Sequence, residues 1–127
     1  MTFDYAAICL VNKDSVILSK RISIFENKPV QFGGYWSPFA GSIEQGETPE
    51  ECVIRELKEE SQFSISPNKV FFQNSIKRKD NKRLAFFIGV LDEFPKITLD
   101  FEHTEYNIFK FDELEKVEPL DIEIYKS

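Results

Sequence analysis

Between Gly41 and Phe63 the sequence reads GSIEQGETPEECVIRELKEESQF, and its carboxylates are the first chemistry it offers. With Glu56 at zero on a helical wheel turning ~100° per residue, Glu59 falls near ~300° and Glu60 near ~40°. The three share an arc of roughly 100°, beside an apolar arc of Val53, Leu57 and Ile54 at roughly 60° to 160°. Lys58 and Glu51 take the solvent side. Carboxylates three and four residues apart cost an isolated helix about a few tenths of a kcal/mol per pair, and they raise one another's pKa. A hard divalent cation reverses that sign, because Mg²⁺ takes oxygen ligands in octahedral geometry and leaves positions for water and phosphate. The plainer alternative is a solvated acidic helix with salt bridges to Arg55 and Lys58. Helix geometry by itself leaves both open.

The elements that would hold this segment are legible around it. Thr48 is a good N-cap, Pro49 suits the first helical position and Glu51 completes a T-x-x-E capping box, so a helix should run from Pro49 to about Ser61. Tyr5–Val11 and Val16–Ser19 flank the turn signal Asn12-Lys13-Asp14 and read as a β-hairpin. Arg21 to Phe32 reads as irregular, and Tyr35-Trp36-Ser37-Pro38-Phe39 as an aromatic lead-in to the acidic segment. Val70–Ile76 and Leu84–Leu91 read as strands joined by a basic tip, Lys77 to Arg83. Asp92 to His103 reads as a longer loop or a short strand around Pro95, Tyr106–Phe111 as a strand, Asp112-Glu113-Leu114 as a helical turn and Leu120–Tyr125 as a terminal helix. Strands and helices alternate irregularly, which predicts an α/β fold with a mixed sheet.

The chain has 127 residues, room for one domain over 1–127 with one substantial core. The formal net charge of −6 and the lack of a long basic tract argue against an extended nucleic-acid footprint. The N-terminus lacks a basic signal region, and the apolar run from Tyr5 to Val11 is too short to span a membrane. A cytoplasmic protein is expected. Cys9 and Cys52, with no CxxC spacing, read as buried reduced thiols. The thirteen phenylalanines predict an aromatic core or a pocket for a flat ligand.

Gly41, five residues, Glu47, seven residues, then Arg55-Glu56-Leu57-Lys58-Glu59-Glu60: this pattern resembles the Nudix box, G-x5-E-x7-R-E-U-x-E-E-x-G-U, where U is a bulky aliphatic residue. Gly41, Glu47, Arg55, Glu56, Leu57, Glu59 and Glu60 match it. Three positions depart. The late glycine is Gln62, which can take the left-handed helix exit only at some cost, so a changed helix exit is expected, with no side chain removed from the site. Phe63 replaces the last aliphatic residue. In Pro38-Phe39-Ala40-Gly41, Ala40 replaces a glycine whose carbonyl often binds metal in the family; a carbonyl survives the replacement.

The resemblance implies an α/β/α sandwich around a mixed sheet, and Mg²⁺- or Mn²⁺-dependent hydrolysis of a nucleoside diphosphate linked to another moiety. It makes Glu56, Glu59 and Glu60 metal-binding carboxylates, with the Ala40 carbonyl as a further ligand. Glu47 supports the site through Arg55, which orients the glutamates. Glu102 is the candidate for a further acid from the loop before the last strand, with Glu105 second, and His103 is a loop residue near the site. Either Glu56 or Glu102 would be the general base. Arg21 matches a position that holds phosphate, with Lys20 weaker. Trp36, Tyr35, Phe39 and Tyr106 would stack on a base or pack in the core. A nucleoside triphosphate, including oxidised ones, or a dinucleoside polyphosphate ranks first as substrate. An RNA 5′ end or a nucleotide sugar stays open, as does a non-catalytic nucleotide-binding sensor. A monomer or homodimer is expected.

Overall fold

A computed structural model describes residues 2–29 and 33–116. The first hairpin forms as expected from β1 (Tyr5–Asn12) and β2 (Ser15–Arg21). Ala6 to Leu10 are buried on both faces of β1, so this strand is the spine of the sheet. Ala6, Ile8 and Leu10 point into the main core, while Ala7 and Cys9 enter two smaller clusters on the opposite face.

The region expected to be irregular contains a small hairpin, β3 (Ile24–Phe25) and β4 (Lys28–Pro29). The aromatic lead-in, which carries no strand signal of its own, forms β5 (Trp36–Ser37) and β6 (Phe39–Ser42). The reason is tertiary. β1 gives its second half, Leu10–Asn12, to β2 and its first half, Tyr5–Ile8, to β6. β2 in turn gives Ser19 and Lys20 to β5. The two spine strands diverge, and the short segments on either side of Pro38 fill the fork.

The acidic segment forms α1 (Pro49–Ser61) with the expected capping box: Thr48 Oγ1 accepts from Glu51 N at 3.1 Å, and Glu51 Oε1 accepts from Thr48 N at 2.8 Å. Val53 and Leu57 are fully buried against β1 and the core beneath it. β7 (Val70–Lys77) and β8 (Arg83–Val90) form the second hairpin, with the basic tip between them. β8 pairs parallel with β1, and the other strand pairs among the described residues are antiparallel, which makes the sheet mixed.

The last described strand, β9 (His103–Lys110), begins three residues before the expected Tyr106. Its register along β2 runs from Ser15↔Lys110 to Arg21↔His103, and a bulge at Lys20/Arg21 extends the pairing to His103. A 3-10 turn at Phe111–Lys116 takes the place of the expected helical turn. The terminal helix expected at Leu120–Tyr125 lies outside the described residues. Cys9 and Cys52 are free and buried, as expected. No helix among the described residues is long and apolar enough to cross a membrane.

Candidate active site

The site lies where the C-terminal half of α1 crosses β6 and the start of β9. The three helix glutamates, near-equivalent on a wheel, are unequal in place. The Glu60 side chain, closest to the apolar arc, is 2 % exposed; Glu56 is 14 % exposed and Glu59 56 %. Lys58 and Glu51 face solvent as expected.

Arg55 organises the outer side. Its Nε and Nη2 donate to Glu47 Oε2 and Oε1 at 2.7 and 2.9 Å, a two-pronged pair, while Nη1 donates to Glu56 Oε1 at 2.7 Å. Glu59 lies at the edge of the same guanidinium, at 3.4 Å. These bonds hold Glu47 at about pKa 2. Gly41 leaves room for the Glu56 carboxylate, which a Cβ there would displace.

The inner side is built on Glu60. Its Oε1 accepts from Ala40 N at 3.2 Å and lies 3.2 Å from His103 Nε2. Its Oε2 is buried and has no hydrogen-bond donor among the described residues. A protonated Glu56 or a cation could fill that place. Burial, and then the proton shared with Glu60, pushes Glu56 up to about 8. Burial, with Glu102 nearby, pushes Glu60 up to about 7. Two carboxyls pressed together away from water resist carrying two charges. Their ligand chemistry is all oxygen, which suits Mg²⁺ or Mn²⁺. The orphaned buried oxygen is the feature that a cation would satisfy.

The loop before β9 is tied to the end of α1. Asp100 N donates to Glu60 O at 3.2 Å, and Thr98 N to Ser61 O at 3.1 Å. Asp100 Oδ1 accepts from Glu102 N at 3.0 Å, which fixes the backbone at Glu102. The outcome is a cluster in which ligand atoms of Glu60, Glu102 and His103 lie within 4.8 Å of one another. His103 lies near the site as expected, but as the first residue of β9 rather than in a loop: it is buried, with Nδ1 2.8 Å from the Ser19 hydroxyl. Burial holds its pKa below the ordinary histidine value. The sequence signal for Asp100 and Ser19 was nil, since a loop aspartate and a strand serine are commonplace.

The candidate substrate residues separate. Arg21 pairs with His103 at the end of β2, and its buried Nε receives no partner among the described residues. Tyr106 is exposed on β9, opposite Ser19. Trp36 packs edge-on against Phe109 at 5.1 Å, on the outer cluster. Phe39 is corrected: at 1 % exposure it is core, its ring edge-on to His103 at 5.5 Å, with no face left for a base. The sequence could not tell its two uses apart, because both want a large flat ring.

A mixed sheet bearing a carboxylate helix braced by an arginine defines the class: a Nudix hydrolase, acting on phosphoanhydride bonds. A family model described as NUDIX domain matches residues 1–127, and the chain belongs to that family. It is 28 % identical over 120 residues to an RNA pyrophosphohydrolase of a Nitratiruptor species, covering 79 % of this chain and 75 % of that protein. Among solved structures it resembles a C. elegans Ap4A hydrolase in a binary complex, at TM-score 0.72 and 16 % identity, covering 96 % of this chain and 90 % of the other. It also resembles a MutT protein from Methanosarcina mazei Go1, at TM-score 0.74 and 18 % identity, covering 96 % and 86 %. At these identities the two structures speak for the fold, an α/β/α Nudix sandwich.

Proposed function

We propose that this chain is a Mg²⁺- or Mn²⁺-dependent pyrophosphohydrolase that cleaves a phosphoanhydride in a nucleoside polyphosphate. The observation that carries the reading is the buried Oε2 of Glu60, which has no donor among the described residues other than a protonated Glu56 beside it. Glu56 and Glu60, with Glu59 outside them, the Ala40 carbonyl and Glu102 from the loop, would hold the cation. Bound there, it would neutralise charge on the phosphate oxygens and supply Lewis acidity.

The chain's own residues account for the remainder. Arg55 holds Glu56 in place and is itself held by Glu47, so neither needs to touch substrate. Arg21, whose Nε has no partner among the described residues, would hold a phosphate oxygen next to the cluster. Glu56 and Glu102 are the two candidates to take the proton of the attacking water. Tyr106, exposed beside β2, is the aromatic residue best placed to meet a base; Trp36 is second.

A nucleoside triphosphate, a dinucleoside polyphosphate and an RNA 5′ triphosphate all present the required group. The named RNA pyrophosphohydrolase relative favours the RNA end, and the basic tip Lys77 to Arg83 offers a surface for its backbone. The test is product release with Mg²⁺ or Mn²⁺ across oxidised and canonical triphosphates, dinucleoside polyphosphates, nucleotide sugars and triphosphorylated RNA. Glu60→Gln should lose turnover by at least about 100-fold while melting as the wild type does. An unchanged rate would sink the assignment. Silence over the whole panel from folded, metal-loaded protein would instead favour a nucleotide-binding sensor.

A further inference from the structure

His103 is a buried group for which the reading above has no task. Its Nδ1 meets Ser19 Oγ at 2.8 Å, its Nε2 meets Glu60 Oε1 at 3.2 Å, and the Phe39 ring closes a third side. A neutral imidazole offers one N–H and one lone pair, and an ionised carboxylate only accepts. The nitrogen facing an ionised Glu60 must therefore carry the proton. A hydroxyl can donate or accept, so Ser19 donates to the remaining Nδ1 lone pair. The opposite tautomer would set the Nε2 lone pair against Glu60 Oε1.

We propose that His103 is a positioning residue for Glu60. Ser19 fixes the Nε2–H tautomer, and that N–H, together with the Ala40 N–H, fastens Oε1 so that Oε2 faces the cation position beside Glu56. The proposal rests on the metal role proposed for Glu60. It accounts for one feature that the Nudix box does not contain: the hydrogen bonds from Ala40 and His103 converge on one oxygen of Glu60 and leave the other facing Glu56. Serine, histidine and carboxylate in line also form nucleophilic triads, but Ser19 is fully buried and cannot reach a substrate. Groups that orient ligands in this way typically carry about 10–100-fold in metal affinity.

The chain has one histidine, so the imidazole ¹⁵N spectrum of the whole protein contains one ring. With Mg²⁺ at neutral pH it should show Nε2 protonated and Nδ1 bare. Ser19→Ala should lose the single tautomer and weaken Mg²⁺ binding measured by calorimetry. His103→Leu should weaken it by about 10–100-fold, and His103→Gln, whose amide N–H can stand in for Nε2–H, should recover most of that. A ring protonated at Nδ1, or one that loses its Nε2 proton when Mg²⁺ is added and so becomes a ligand, overturns the proposal. So does a His103→Leu protein that binds Mg²⁺ as the wild type does. Should that variant fail to fold, the spectrum and Ser19→Ala decide. Neither readout needs turnover: a silent substrate panel removes the enzymatic reading and leaves this one standing, while wild-type protein that binds no Mg²⁺ overturns both.

Discussion

Replacing Glu47 with glutamine tests whether the brace behind the helix is electrostatic. Glu47 Oε1 and Oε2 each receive a bond from Arg55, and Oε1 also accepts from Glu44 N at 3.0 Å. These bonds lower its pKa from 4.5 to about 2. A carboxyl depressed in the folded state contributes stability above its unfolded value, and that stability is lost as pH falls through the folded value. Here the window runs from about 4.5 down to about 2. At ~1.36 kcal/mol per pH unit the gap is worth about 3 kcal/mol as a ceiling. Arg55 is a quarter exposed, so solvent screening brings the expectation to about 1–2 kcal/mol. Glutamine keeps the shape and one acceptor oxygen, and so behaves as a permanently protonated Glu47. Urea unfolding in chelator, which keeps metal out of the comparison, should find E47Q less stable by that amount at pH 7. At about pH 3 less than about half the difference should remain, because the wild type has by then lost much of the same contribution. Equal stability at pH 7, or a difference of undiminished size at about pH 3, would refute the electrostatic account.

Two further substitutions test the backbone around the site. Gln62 sits at φ 60° and ψ 16° at the helix exit, so Gln62→Gly should raise stability by about 0.5–1 kcal/mol, read as a shift in the urea midpoint; a loss would show that the Gln62 side chain holds the exit. Gly41→Ala places a methyl group where the Glu56 carboxylate lies, so Mg²⁺ affinity by calorimetry should fall by about 10-fold or more with the fold retained; unchanged affinity would remove Glu56 from the cation position.

What was legible in the sequence was local. The capping box, the hairpin turn at Lys13 and the basic tip each depend on a few neighbours, and each formed where expected. The helix exit was not legible: the missing glycine argued for a changed exit, yet Gln62 takes the left-handed conformation itself, at φ 60° and ψ 16°, and its N–H still reaches Lys58 O. The strands β5 and β6 were not legible, because Trp36–Ser37 and Phe39–Ser42 are strands only by virtue of the fork between β1 and β2. The early start of β9 depends in the same way on its pairing with β2, which resumes at Arg21↔His103 after a bulge that leaves Thr104 without a partner in the register. In the site, the box marked Glu47, Arg55 and the three helix glutamates. It could not reveal Ser19, Asp100 and the burial of His103, since these meet α1 only through contacts 40 and more residues apart in sequence.

The same long-range packing breaks the equivalence of the glutamates. A wheel separates Glu56, Glu59 and Glu60 by angle alone. In the fold, Glu60 is sealed beneath Ala40 and His103, Glu56 is wedged between Gly41 and Arg55, and Glu59 stands largely in water. Burial that raises the pKa of a carboxylate pair to about 7 and 8 makes the doubly ionised, metal-free state costly near neutral pH. A cation that binds the ionised pair recovers that cost, so the arrangement that weakens the empty site strengthens the filled one. Glu59, more than half exposed, is not pressed into that buried pair. On this physical ground Glu56 and Glu60 would form the primary cation pair and Glu59 an outer ligand, so that Glu59→Gln should weaken Mg²⁺ binding less than either Glu56→Gln or Glu60→Gln when the three are titrated side by side.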